Sequence, residues 1–171
     1  MANQVMFKGS PKDLVGPKLK AGDSAPEFAC ATQGLEIVTL AATPKTARMF
    51  SVVPSLDTPV CSRQTKKFEE SIAGLKGKAT CYTVSLDLPF AQKRFCTAEN
   101  VTNMLTLSDV HNQSFGKSYG VLLQGLPIPL LARAIFVVDK NNKISYCEYV
   151  AEVTNDPDYD KAIAALKAAA Q

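Results

Sequence analysis

The sequence predicts an α/β fold built on a mixed central sheet with helices on both faces. Three observations carry that prediction. Short strand-like runs alternate with segments of helical spacing through the middle of the chain. One of them, "ARMFSVV" (47–53), is continuous and apolar enough for a strand buried on both sides. Near the end, "RAIFVVD" and "KISYCEYV" are separated only by Lys140-Asn141-Asn142, the spacing of a hairpin, so parallel and antiparallel pairs must share the sheet.

Each element has its own signal. Turn residues at Gly9-Ser10-Pro11 and Gly16-Pro17 punctuate short apolar pieces, which predicts an N-terminal β-hairpin. "PEFACAT" and "LEIVTL" read as short strands on either side of Gly34. After the 47–53 strand, Pro59 to Leu75 reads as helix, because Cys61, Phe68, Ile72 and Leu75 fall on one face. "ATCYTVSLD" is the next strand and "LPFAQKRFC" a short helix. "MLTLSD" follows as strand, then "NQSFGKSYG" as a short helix closed by Gly120. The C-terminal helix takes Asp156 as its cap, Pro157 as its first residue, and Tyr159, Ile163 and Leu166 as its apolar stripe. A thioredoxin-like sandwich with an added N-terminal β-hairpin satisfies this order, as one domain over residues 1–171.

Composition narrows the function. Apolar residues make up 46% and charged residues 20%, an ordinary globular balance, and the net charge of +3 is mild. The closest basic pair, Lys66-Lys67, sits beside Glu69 and Glu70, so no nucleic-acid surface is expected. No run approaches the ~20 apolar residues that cross a bilayer, and the first residues hold no secretory block. A cytoplasmic protein without membrane contact is expected. The five cysteines, Cys30, Cys61, Cys81, Cys96 and Cys147, are odd in number and form no C-x-x-C. That argues against a disulfide framework, a zinc knuckle or a thioredoxin-type dithiol.

The chemistry gathers at "PSLDTPVC" (54–61), where a strand gives way to a helix. Pro59 suits the first helical position, which makes Thr58 the cap and puts Cys61 in the first turn. There the unpaired amides of the helix favour thiolate over thiol, and the Thr58 hydroxyl can donate to the sulfur or to an oxygen bound beside it. The apolar stripe turns Cys61 inward, so a substrate would enter a pocket. Burial alone would disfavour the thiolate, and a fixed cation is therefore expected. Arg133, opening an otherwise apolar strand, is the candidate. Taken alone, each residue has an ordinary reading: Cys61 as a packing cysteine, Arg133 as a strand end reaching solvent.

Together they match something more specific. Pro54, Thr58 and Cys61 form the P-x-x-x-T-x-x-C pattern of peroxiredoxins. With "SLDLPFAQKRFC" (85–96), "LLARAIFVVD" (130–139), "PDYDKAI" (157–163) and "FKGSP" near the start, nearly the whole chain resembles the thiol peroxidase branch, an atypical two-cysteine peroxiredoxin family. The resemblance implies that Cys61 is the peroxidatic cysteine, attacking the O–O bond to become a sulfenic acid. It implies that Thr58 and Arg133 orient and polarise the peroxide, and that Pro54 shields the sulfenic acid. Cys96 would be the resolving cysteine, closing an intrachain disulfide that thioredoxin reduces. A homodimer is implied, as are a preference for alkyl hydroperoxides over hydrogen peroxide and no metal or organic cofactor.

Two departures stand out. Glu99-Asn100 replaces a common Glu-Gly, and "PIPL" (127–130) replaces a common Leu-Lys-Gly-Leu, which stiffens the loop before Arg133 through Ile128 and Pro129. Cys30, Cys81 and Cys147 match no role and read as packing residues, His111 as a surface-loop residue and Asp57 as a turn residue. Three rivals remain on the residues alone. A protein disulfide oxidoreductase would want C-x-x-C, a peroxide sensor would oxidise without turnover, and a metal site on Cys61, Cys96 and His111 lacks ligand spacing.

Overall fold

The computed structural model describes residues 3–171, which form β1 (Asn3–Phe7), β2 (Ser10–Val15), β3 (Ala29–Ala31), β4 (Ile37–Thr39), β5 (Ala47–Val52), α1 (Pro59–Ser71), β6 (Ala79–Ser85), α2 (Pro89–Ala98), β7 (Met104–Ser108), α3 (Ser114–Ser118), β8 (Leu122–Leu123), β9 (Ala134–Val138), β10 (Ile144–Tyr149) and α4 (Tyr159–Ala169). Seven strands make the main sheet in the order β10-β9-β5-β6-β7-β3-β4. The β5, β6 and β7 strands run parallel, while β9 and β10 on one side and β3 and β4 on the other are antiparallel. The sheet is mixed, as predicted. The N-terminal hairpin is also present. Its turn places Lys8 and Gly9 at φ of 52° and 77°, the double left-handed geometry that suits a two-residue hairpin. It joins β8, a two-residue strand too short for any periodicity to reveal, in a separate small sheet.

The two faces of the main sheet are packed separately. On β5, Phe50 and Val52 belong to one core while Ala47 and Met49 belong to the other. Along β9, Phe136 and Val138 likewise alternate with Ile135 and Val137. Phe115 of α3 and leucines of the small sheet cover the first face. Phe68 of α1, Cys96 of α2 and Leu166 of α4 cover the second.

The first face is aromatic. Phe115 and Tyr119 stack with centroids 4.0 Å apart, and Phe28, Phe50, Tyr82, Phe136 and Tyr149 extend the network at 5.1–6.3 Å. Gly120, with φ of 66°, closes α3 where an added Cβ would lie 1.8 Å from the Pro17 carbonyl oxygen. The second face changes along its strands. Met49, Cys81 and Met104 form an apolar row in register, followed by a row of Ser51, Thr83 and Thr106, then by Ser85 and Ser108. All of these residues are buried. The sheet therefore turns polar under its carboxyl edge.

Three helix ends differ from the sequence reading. After α1 stops at Ser71, Ala73–Leu75 continue as a 3-10 turn. The α2 helix runs past Cys96 to Ala98, and Asn100 at φ of 54° closes it, with Val101 N–H donating to the Cys96 carbonyl at 2.9 Å. The cap of α4 is Asp158, whose carboxylate accepts from Lys161 N–H at 3.1 Å. Asp156 is diverted: it accepts from Arg63 at 2.7 and 3.1 Å and from the Tyr159 hydroxyl. No helix among the described residues is long and apolar enough to cross a membrane.

Candidate active site

At the carboxyl edge of the sheet, where β5 ends, the antiparallel β9 begins, with Val52 opposite Ala134. The segment after β5 turns at Ser55 and enters α1 at Pro59, with Thr58 extended in the cap position. The Thr58 carbonyl accepts from Ser62 N–H at 3.0 Å. Its hydroxyl donates to the Ser55 carbonyl at 3.0 Å and not to the sulfur, because the turn folds that carbonyl back beneath it. Cys61 is fully buried in the first helical turn, clustered with Val53 and Leu56, and Phe95 of α2 packs against that cluster.

Arg133 immediately precedes β9 and is only 2% exposed, so the reading of a strand-end arginine in solvent is wrong. Its Nε donates to the Val153 carbonyl at 2.8 Å, one Nη to Gln64 Oε1 at 2.8 Å and the other to Cys61 Sγ at 3.4 Å. Gln64 is itself oriented by donating to Ser51 Oγ at 2.7 Å. Among the described residues no carboxylate is ion-paired with Arg133. A buried guanidinium without an ion-paired carboxylate is costly, and one of its N–H groups is directed at the Cys61 sulfur. Sequence reasoning missed Gln64. It lies three residues after Cys61 on the buried face, and a polar residue inside an apolar stripe was the available signal.

Pro54, Thr58 and Arg133 meet in one pocket of about 360 Å³, walled otherwise mainly by Phe7, Leu130 and Val153. Three of the five predicted site residues thus share a cavity, and Cys61 touches it only through Arg133.

Known proteins resemble this chain along nearly its whole length. The Redoxin family profile matches residues 20–163. The chain is 50% identical to the thiol peroxidase of Halalkalibacterium halodurans over 165 residues, covering 96% of this chain and 98% of that protein. It is 47% identical to the thiol peroxidase of Bacillus subtilis, covering 96% and 97%. The chain belongs to the redoxin family, in its thiol peroxidase branch. A solved peroxiredoxin-like protein from Aquifex aeolicus superposes with a TM-score of 0.91 at 43% identity, covering 98% of both chains, so the thioredoxin-like fold holds as well.

As a thiol peroxidase the protein reduces peroxides. Its second candidate cysteine is placed apart from the first. Cys61 and Cys96 are both free thiols. On α2, Cys96 belongs to the larger core of the same face, while its neighbour Phe95 packs against both that core and the Cys61 cluster. Cys96, 8% exposed, lines a different groove of about 590 Å³ with Gln33, Lys93, Thr97 and Thr106. Burial pushes its thiol up, a hydrogen bond from Gln33 opposes this, and the Glu69 charge adds to it. Glu69, on α1, gathers the N–H groups of Thr102, Asn103 and Met104 at 2.7–2.9 Å. Burial pushes that carboxyl up, but these donors outweigh it and hold Glu69 below the usual carboxylate range.

The other cysteines lie away from the pocket. Cys30 is buried and donates to Asp109 Oδ1 at 3.5 Å, Cys81 is buried in the second core, and half-buried Cys147 donates to the Leu19 carbonyl. His111 and Asp57 are exposed.

Proposed function

We propose that Cys61 is the peroxidatic cysteine of this thiol peroxidase and that Cys96 resolves it. The observation that carries the reading is the buried Arg133, held by Val153 and Gln64 with one N–H directed at Cys61 Sγ. The Cys61 thiolate attacks one peroxide oxygen, an S–O bond forms as the O–O bond breaks, and the departing oxygen takes a proton to leave as alcohol or water. Arg133 stabilises charge developing on the oxygens. Thr58 orients the peroxide by its hydroxyl, and Pro54 shields the sulfenic acid. Cys96 then forms the Cys61–Cys96 disulfide, for which thioredoxin is the reductant.

The apolar walls Phe7, Leu130 and Val153 support a preference for alkyl hydroperoxides over hydrogen peroxide. Residues 1–171 act as one domain, in a cytoplasmic homodimer. A disulfide needs Cα atoms within roughly 7 Å; Cys96 faces the groove beside Gln33 and Thr106, whereas Cys61 is buried in a separate cluster with Val53 and Leu56, so turnover includes local unwinding of α2.

The test is stopped-flow oxidation by cumene hydroperoxide and by hydrogen peroxide, followed by turnover with thioredoxin, thioredoxin reductase and NADPH. Rapid oxidation is expected in both wild type and Cys96→Ser, with turnover only in wild type. Normal turnover of Cys96→Ser would assign resolution to another thiol, and one stoichiometric oxidation of the wild type without turnover would favour a sensor.

A further inference from the structure

Asp87 sits between the end of β6 and the start of α2, and its carboxylate reaches both cysteine segments. Oδ1 accepts from Ser55 Oγ at 2.7 Å, and Oδ2 accepts from Leu56 N–H and from Ser85 Oγ, each at 2.8 Å. Ser85 Oγ in turn accepts from Gln92 Nε2 at 3.1 Å, and that amide also donates to the Leu107 carbonyl at 3.0 Å. Gln92 lies on α2 four residues before Cys96, while Ser55 and Leu56 form the turn that delivers Thr58 and Cys61. Leu56 packs directly with Cys61. One carboxylate therefore anchors the peroxide-side turn and, through one serine, the helix of the second cysteine.

Other contacts of α2 are mixed, with Lys66 of α1 paired to Glu99 at 2.9 Å just beyond its end. Gln92 Oε1 and Thr83 Oγ1 are buried without a protein partner among the described residues. The Arg94–Asp57 ion pair is 3.6 Å long and exposed, a kind of contact that contributes little.

We infer that Asp87 is a positioning residue that couples the two cysteine segments and governs how a Cys61 sulfenic acid is partitioned. This rests on the proposed roles of Cys61 and Cys96. Two reactions compete for that sulfenic acid. In one, the Cys96 sulfur attacks the Cys61 sulfur, an S–S bond forms, the S–O bond breaks, and the hydroxyl leaves with the thiol proton as water. In the other, the sulfenate attacks a second peroxide, a new S–O bond forms as O–O breaks, and sulfinic acid and an alcohol result. The first needs the turn and α2 to come loose; the second needs them in place. With Asp87 intact, both segments are held and the disulfide forms slowly. With the carboxylate removed, both loosen together and the disulfide forms sooner.

The experiment doses reduced wild type, Asp87→Asn and Asp87→Ala with graded cumene hydroperoxide, quenches by alkylation, and measures disulfide and sulfinic acid on Cys61 by mass spectrometry. The ratio of disulfide to sulfinic acid at equal peroxide is expected to rise roughly tenfold, the effect of losing one charge-assisted hydrogen bond on a local opening. Gln92→Met and Ser55→Ala cut the same chain elsewhere. Each should raise the ratio by a smaller factor and add little when combined with Asp87→Asn, and they carry the test if the Asp87 variants fail to fold. Tyr149→Phe, which loses hydrogen bonds on the aromatic face, is the control: it should lower Tm and leave the ratio alone. A folded Asp87→Asn with an unchanged or lower ratio would overturn the coupling while leaving the cysteine roles intact. Absence of any Cys61–Cys96 disulfide in the wild type would overturn those roles, and the coupling with them.

Discussion

The aromatic face and the cysteine face of the main sheet share the same strands but are packed by different chemistry. On the first, seven aromatic rings interlock and α3 closes over them. On the second, the row Ser51, Thr83 and Thr106 lies buried at the carboxyl edge, and three of the polar atoms there and on the helices above (Thr65 Oγ1, Thr83 Oγ1 and Gln92 Oε1) find no protein partner among the described residues. Each face also holds a buried arginine. Arg48, on the strand residue beside Met49, donates to the Thr46 carbonyl and Thr43 Oγ1 at 3.0 Å each and to the Asp139 carbonyl; burial lowers its pKa. Its donors end on neutral oxygens. Arg133 keeps one for the sulfur. On the proposed chemistry, the contrast separates a layer that holds the fold from a layer that binds, reacts and comes apart, since unsatisfied polar groups make docking of the second less favourable.

Four changes test how complete that separation is. Phe115→Ala, at the centre of the aromatic face, should cost about 3–5 kcal/mol in urea unfolding. The oxidation rate of the protein that remains folded should stay within roughly twofold of wild type, because the mutation creates a cavity on the opposite side from Cys61. A comparable loss of rate would break the separation. Arg133→Met fills the same space without charge and should lower the second-order rate with cumene hydroperoxide by about 10²–10³-fold while the protein stays folded. Equal rates would remove Arg133 from the chemistry. Thr83→Val replaces an unpartnered hydroxyl with a methyl group of similar shape, and should stabilise the fold by about 1 kcal/mol. Loss of stability instead would mean that the hydroxyl is satisfied by solvent.

The smallest effect concerns the hairpin that walls the pocket. Glu152 accepts from Lys8 and Gly9 N–H at 3.0 Å, and the Gly9 and Thr154 amides hold its carboxyl at about 2, against an ordinary 4.5. A carboxyl lowered on folding stabilises the fold above its unfolded value and loses that contribution as pH falls towards its folded one. Hydrogen exchange of the hairpin should therefore lose protection between pH 4.5 and about 2, and Glu152→Gln should flatten that dependence. An unaltered profile would show that Glu152 does not hold the hairpin.

Much of this was legible in the sequence, and the failures have physical reasons. Helix starts announced by Pro59 and Pro89 were found, because a proline there removes an N–H that has no partner anyway. The cap of α4 was misplaced by two residues because Asp156 and Asp158 both flank Pro157, and only tertiary contact with Arg63 decides between them. Pro54, Thr58, Cys61 and Arg133 were legible as a motif, but the bond from Arg133 to the sulfur depends on Val52 and Ala134 being opposite, which no local pattern records. Gln64 showed only as a polar residue inside an apolar stripe, and Asp87 not at all, for a related reason. Gln64 acts through Ser51 and Arg133, 13 and 69 residues away, and Asp87 joins Ser85 to Leu56 and Ser55, 31 and 32 residues away.

The clamp at Glu69 has a kinetic meaning. By fixing Thr102, Asn103 and Met104 to α1, it leaves any unwinding of α2 as a short loop tied at both ends, with β6 holding the other end. A reactive group on such a tether meets its target at an effective concentration on the order of millimolar, without any diffusion from outside. On the proposed chemistry, a small external thiol of equal reactivity must reach that concentration before it can intercept the sulfenic acid ahead of Cys96. A longer loop, produced by releasing Glu69, would lower that threshold and open the intermediate to other thiols.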